Sequence, residues 1–280
     1  MEMPDMDRVI GVSWPRSGHH LLVRLLTLYF GSGFRYCDYY GGVENCCKAV
    51  PCTRPDIHLS KSHDFDLQLP QIEGRKYLIQ YRNFVPSVVS NFELHVRNGG
   101  ADTPESFRNF ASQQFDAYRA FTNKWITSDF AANQLQIEYD QLQGDPQNGL
   151  ARAAEWLHPG VPIDPARIAD AVARVDGERI ERGRVTPLAG AGVHSARRIE
   201  DFRFYAAPLF ATLENMRLSR EEVTIVFRDV LDRDPVAANM LNFQAAASTD
   251  ALRRDLMASD EYTARQRQDP QSPTDKAHDT

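Results

Sequence analysis

The chain lacks any apolar run of the roughly 18 to 20 residues that a membrane-spanning helix needs, which argues against an integral membrane segment. It also lacks an excess of positive charge. Its 32 Lys and Arg against 38 Asp and Glu leave a net −6, which argues against a general nucleic-acid binder but permits a local basic cleft. The opening MEMPDMDR has neither the basic start nor the apolar stretch of a secretory signal, so a cytoplasmic location is expected. Cysteine is scarce and confined: Cys37, Cys46, Cys47 and Cys52 lie within sixteen residues, with no C-x-x-C pair. That spacing leaves open free thiols, a local disulfide and a metal site. The 280 residues, 42% hydrophobic and 25% charged, suffice for one domain of roughly 200 residues or more plus an accessory piece.

The organising stretch is Val9 to Phe30. A short apolar run, Val9-Ile10-Gly11-Val12, gives way to Trp14-Pro15-Arg16-Ser17-Gly18-His19-His20, and then Leu21, Leu22, Leu25, Leu26 and Tyr29 recur at helical spacing. A buried strand, a tight turn and a packed helix therefore follow one another. The N–H groups that open such a helix are unpaired and its dipole is positive there, so an anion over Ser17 to His20 is stabilised. The nucleotide triphosphatase loop needs G-x-x-x-x-G-K-[ST]; here Gly11 and Gly18 are seven apart, and histidines follow the second glycine.

Further along, Ile57 to His63 alternates as a second strand and Lys76 to Arg82 forms a third. Val85, Val88, Val89, Phe92 and Val96 mark a helix, and Thr103-Pro104 caps a longer one carrying Phe107, Phe110, Gln114, Tyr118, Phe121 and Trp125, a stripe read as core packing. Leu135 to Tyr139 is a fourth strand and an amphipathic helix follows through Leu157. Strands alternating with helices predict a mainly parallel sheet between helical layers, with ligands at the carboxyl ends of its strands, where Arg16, His63, Arg82 and Tyr139 fall. Gly31 to Asp56 reads as a long irregular excursion, and strands are expected to stop past Val161. Helices are expected over Ala166 to Val175 and Ile199 to Arg217. Three more follow, opened by the capping box Ser219-Arg-Glu-Glu222, by Asp234-Pro235 and by Ser248-Thr249-Asp250, the last ending near Tyr262. The resulting domain reading is an α/β domain over 1–217, a helical module over 219–262 and a polar, disordered tail over 263–280.

Pro15-Arg16-Ser17-Gly18-His19-His20-Leu21 resembles the 5′-phosphosulfate loop of the sulfotransferase family, which reads roughly PKSGTTW. Tyr81-Arg82-Asn83 with Ser90 eight residues after the Arg resembles the family's 3′-phosphate segment, although Pro is displaced from position 84. Lys61-Ser62-His63 resembles its Lys-Thr-His, Tyr139 in IEYDQLQGDP resembles the Tyr of its YEDL segment, and Arg182-Gly183 in ERGRV resembles its Arg-Lys-Gly loop without the Lys. The resemblance spans about residues 8 to 215. It implies a P-loop-type three-layer α/β/α fold and transfer of a sulfuryl group from 3′-phosphoadenosine 5′-phosphosulfate, with no metal. Donor contacts would come from Arg16, Ser17, Gly18, His19, His20, Arg82, Ser90, Tyr139, Arg182 and Gly183. His63 would be the general base, Arg16 would stabilise the departing phosphate and Lys61 the sulfuryl oxygens; Asp64 is an orienter of His63 or an alternative base. Of the two histidines, His19 is the favoured phosphate contact and His20 the one expected to turn inward.

Residues 219–262 resemble a small helical module found beside bacterial glycosyltransferase and surface-polysaccharide domains. That module, with Tyr36, Tyr39 and Tyr40 as surfaces for sugar faces, points to a carbohydrate acceptor. The competing readings are a nucleoside or small-molecule kinase on the same fold and a non-catalytic module of a polysaccharide assembly.

Overall fold

The computed structural model describes residues 6–38, 47–176, 178–181, 184–187 and 198–268. Five strands, β1 (Val9–Ser13), β2 (Tyr36–Asp38), β3 (Leu59–Ser62), β4 (Tyr77–Tyr81) and β5 (Leu135–Glu138), form one all-parallel sheet in the order β2-β3-β1-β4-β5. Parallel pairing needs crossovers: α1 (His19–Phe30) lies between β1 and β2, and α2 (Phe84–Arg97), α3 (Pro104–Trp125) and α4 (Asp129–Ala132) lie between β4 and β5, while the described residues joining β3 to β4 form no helix; α5 (Tyr139–Gly144), α6 (Pro146–Leu157) and α7 (Pro165–Asp176) follow β5.

Both faces of the sheet are covered, so its three central strands, β3, β1 and β4, are buried at all but one position. The pleat divides them. Val9 and Leu78 pack with Leu22, Leu25, Leu26, Leu150, Leu157 and Val172 on the face covered by α1, α6 and α7. Ile10, Val12, Tyr77 and Ile79 pack with Phe121 and Trp125 of α3 on the other. Of the stripe read along α3, Phe107, Phe121 and Trp125 are buried core, while Phe110, Gln114 and Tyr118 are half-buried; Phe115, outside that stripe, is buried as well.

The chain forms two compact units, one of Met1–His95 and Ala117–Phe202, the other of Val96–Asp116 and Arg203–Thr280. The second unit contains the first part of α3 with α8 (Ala207–Glu214), α9 (Arg220–Leu231), α10 (Met240–Gln244), α11 (Thr249–Met257) and α12 (Asp260–Gln268). Its core gathers Leu218, Val223, Val226, Phe227, Leu231, Met240, Leu252 and Leu256. The capping box forms as the sequence predicts: Ser219 Oγ accepts from Glu222 N at 3.1 Å and Glu222 Oε2 accepts from Ser219 N at 2.7 Å. No described helix is long and apolar enough to cross a membrane.

Six expectations change. Tyr36–Asp38 is an edge strand within the stretch read as irregular. Strands do not stop at Val161, because Glu178–Glu181 (β6) and Arg184–Pro187 (β7) pair antiparallel. The helix expected over Ile199 to Arg217 is a 3-10 turn at Ile199–Asp201 and the shorter α8, begun after Ala206 with Pro208 in its first turn. The helix expected from Ser248 to Tyr262 is two, α11 and α12, and α12 runs on to Gln268 through the start of the tail read as disordered, whose remainder, 269–280, lies outside the described residues. Asp234-Pro235 does not open a helix directly: a 3-10 turn at Ala237–Asn239 comes first and α10 starts at Met240.

Candidate functional site

The loop after β1 is shaped by backbone. Arg16 at φ 65° and Gly18 at φ 76° both adopt the left-handed conformation, which turns the chain sharply enough for α1 to begin at His19. Gly18 meets a second constraint: a Cβ there would lie 2.3 Å from Tyr139 Cδ2, so the Tyr139 ring rests directly on the loop. Trp14 anchors the loop's entry, its indole N–H donating to Ser87 Oγ at 3.2 Å and its ring packing edge-on against Tyr118 at 5.2 Å. Gly18 is the N-cap and has no capping side chain, so the N–H groups opening α1 have no carbonyl one turn back and no cap.

Because the strands are parallel, their carboxyl ends share one edge. His63, Arg82 and Tyr139 each follow immediately after β3, β4 and β5, and Arg16 comes three residues after β1. These four line one cleft of about 430 Å³ with Gly18, His19, His20, Lys61 and Ser90. Among the described residues, no Asp or Glu lines it.

Arg16 Nε donates to Ser90 Oγ at 2.9 Å, so the loop and α2 are tied across the cleft. The Arg82 guanidinium lies over the Tyr139 ring at 4.4 Å, and its Nε is 3.3 Å from Asp140 Oδ1 without hydrogen-bond alignment. Ser90 thus shares the cleft with Arg82, while its direct bond is to Arg16.

His63 is held by its Nδ1, 2.6 Å from the Ser13 carbonyl oxygen. A carbonyl only accepts, so Nδ1 carries the hydrogen and Nε2 the lone pair. Burial first, and the Lys61 charge second, push the His63 pKa down to about 4, so the ring is neutral at pH 7. Lys61 is 4% exposed, and its ammonium is 3.9 Å from Asp38 Oδ1, its strand partner across β2 and β3. Burial lowers its pKa, so this is a charge held out of water with a distant counter-ion.

The histidine turned inward is His19. Its Nδ1 meets Gln80 Oε1 at 2.8 Å and its Nε2 meets the Tyr36 hydroxyl at 3.0 Å, the full complement of a neutral imidazole. Burial above all lowers its pKa well below 6.5. His20 is the exposed ring, its pKa lowered by partial burial and then by Lys61. Tyr36 therefore supports the loop through His19 and does not line the cleft. Tyr39, Tyr40, Arg182 and Gly183 lie outside the described residues.

Ser17 is buried and does not line the cleft; its N–H donates to Trp14 O at 3.2 Å and its Oγ has no partner. Asp64 neither orients His63 nor offers a base. Its carboxylate accepts from Lys124 Nζ at 2.8 Å, Trp125 Nε1 at 2.7 Å and Leu69 N at 2.7 Å, which fixes the turn after β3.

Three lining residues escaped the motif reading: Asn91, whose buried Nδ2 has no partner, Leu94 and Phe65. Phe65 is 65% exposed with its ring 5.1 Å from that of His63. Position gave a signal for two of them, since Asn91 adjoins Ser90 and Phe65 is two residues past His63. Compared with known protein families and with curated proteins, the chain matches none.

Proposed function

We propose that the cleft binds 3′-phosphoadenosine 5′-phosphosulfate and that the protein transfers its sulfuryl group to an acceptor hydroxyl. The observation that carries this reading is the gathering of Arg16, Lys61, His63, Arg82 and Tyr139 around one basic cleft at the uncapped start of α1. Its volume of about 430 Å³ falls in the range of roughly 300–1,000 Å³ common for small-ligand sites. The buried Lys61 ammonium and the unpartnered Asn91 Nδ2 are groups that a polyanion's oxygens would satisfy.

On this reading β1, its loop and α1 act as a P-loop variant. Arg16 and the N–H groups opening α1 hold the 5′-phosphosulfate, Arg82 and Ser90 the 3′-phosphate, and Tyr139 the nucleotide beside Arg82. The donor supplies an activated sulfuryl group on a phosphate leaving group. His63 Nε2 takes the proton of the attacking hydroxyl, and Arg16 stabilises the charge that grows on the bridging oxygen. A base with a pKa near 4 is weak, and the anionic donor beside it strengthens it by favouring the imidazolium. The carbohydrate class of the acceptor rests on the C-terminal resemblance, now that Tyr36 is committed to His19.

The test is calorimetry with 3′-phosphoadenosine 5′-phosphate, followed by turnover of the phosphosulfate donor against a panel of sugar hydroxyls. Binding is expected, and Arg82→Ala weakens it by about 10- to 100-fold, the worth of a charge-assisted contact. An intact chain without affinity for this nucleotide, or one that turns over magnesium-ATP instead, sinks the reading.

A further inference from the structure

The second chemically distinctive cluster lies away from the cleft, in the segment leading into β3. Cys47 and Cys52 are free thiols, and Cys37 lies beside them. Cys47 Sγ is 3.2 Å from Cys52 Sγ, and both pack with Cys37 and Ile57 in a small apolar cluster. None of these residues lines the candidate cleft.

The two sulfurs are unequal. Cys47 Sγ accepts the Thr53 N–H at 3.3 Å and is half-buried. That backbone bond, helped by the Cys52 thiol, lowers the Cys47 pKa to about 6, so the thiolate predominates at neutral pH. Cys52 is buried, and burial raises its pKa. One sulfur is thus disposed to attack and the other, in contact with it, to resolve. A shared metal is a poorer account, since among the described residues no group of three or more His, Cys, Asp or Glu is arranged to hold one.

We propose that Cys47 and Cys52 form a redox-active dithiol that exchanges with low-molecular-weight disulfides, Cys47 being the attacking sulfur and Cys52 the resolving one. The Cys47 thiolate attacks one sulfur of the small disulfide; a new S–S bond forms as the old one breaks, and the first half leaves as thiolate. Cys52 then gives its proton to that thiolate, and its sulfur attacks Cys47 Sγ, expelling the second half as thiolate. Two electrons pass from the protein sulfurs to the small disulfide, which ends as one thiol and one thiolate. The closed pair would bridge residues 47 and 52 beside β3, where Cys52 N–H already contacts Ser60 Oγ at 3.4 Å. The inference is independent of the sulfuryl-transfer reading.

The test treats the full chain with excess oxidised glutathione near pH 7.5, quenches with acid and maps the products by mass spectrometry. The expected product has lost two hydrogen atoms, keeps no glutathione and carries a 47–52 crosslink. Cys52→Ser is expected to retain glutathione on Cys47, because nothing resolves the mixed disulfide. Cys47→Ser is expected to react at least about tenfold more slowly, the attacking thiolate being gone. Cys37→Ser and Cys46→Ser are expected to behave as the parent does. A crosslink through Cys37 or Cys46, glutathione retained by the parent chain, or parent-like rates in Cys47→Ser overturn the proposal. The parent's crosslink map decides even if a variant fails to fold.

Discussion

The two units bury polar groups in opposite ways. In the helical unit the buried Gln244 side chain is fully used: Oε1 accepts from Ser112 Oγ at 2.7 Å, and Nε2 donates to Ser112 O at 3.4 Å and Asp116 Oδ1 at 3.3 Å. Among the described residues of that unit, no buried side-chain N or O lacks a partner. Among its described residues the α/β unit leaves nine such atoms without partners, Arg82 Nε and Asn91 Nδ2 on cleft-lining residues and others, such as Trp156 Nε1 and His158 Nε2, outside the lining, and holds Lys61 nearly out of water. Such groups cost stability, and a fold keeps them at places where a ligand completes them or where strain serves a site. Perturbation of each unit should therefore read out differently.

The largest effect is expected at His63. On the sulfuryl-transfer reading His63→Ala lowers turnover by about 100-fold or more while nucleotide affinity by calorimetry stays near the parent's. Unchanged turnover removes His63 from the base role. The pH profile sharpens the same point. Protonation destroys the base, so kcat/KM, which reports the free enzyme, should fall as pH drops through about 4. The acid limb of kcat should lie higher, because the bound anion raises the His63 pKa.

Gly18→Ala comes next. The new methyl meets the Tyr139 ring, and the residue must still hold φ 76°, so a loss of about 2 kcal/mol or more is expected in denaturant unfolding. Nucleotide affinity should fall with it, since the Tyr139 and Arg82 stack rests on this loop. A stable Gly18→Ala protein with intact binding would show that the close approach does not shape the cleft. Gln244→Ala tests the other unit. It removes the acceptor of Ser112 Oγ, while Asp116 keeps the Arg220 N–H at 3.0 Å, and is expected to cost about 1–3 kcal/mol, with the affinity of the remaining folded protein unchanged. A Gln244 variant that binds nucleotide more weakly breaks the division between a site-bearing unit and a self-satisfied one.

What the sequence made legible was local. The strand, loop and helix from Val9 to Phe30, the strand ends at His63 and Arg82, and the Ser219 capping box each depend on neighbours a few residues away. The choice between His19 and His20 is not local, because His19 is held by Gln80 and Tyr36, distant in sequence. Asp64 misled for the same reason: beside His63 in the chain, its carboxylate belongs to Lys124 and Trp125, some sixty residues on. Strand β2 is three residues long, too short for a period-2 signal to stand out.

The smallest expected effect is the sharpest control. Ser219 caps α9 through Glu222 N, and Glu222 returns the bond to Ser219 N, so Ser219→Ala removes one half of a reciprocal pair at a helix start. A cap of this kind contributes about 1 kcal/mol, measurable as a shift in the urea midpoint with an unchanged slope. The substitution touches no residue of the cleft, so turnover and nucleotide affinity should match the parent's at a temperature where both proteins are folded. Read beside Gly18→Ala, it separates two kinds of loss. Destabilisation that reaches the cleft from Ser219 would mean that any weakening of the chain degrades binding, and the Gly18 result would then say nothing particular about the loop. Destabilisation without loss of binding would mean that the Gly18 effect belongs to the anion cradle itself.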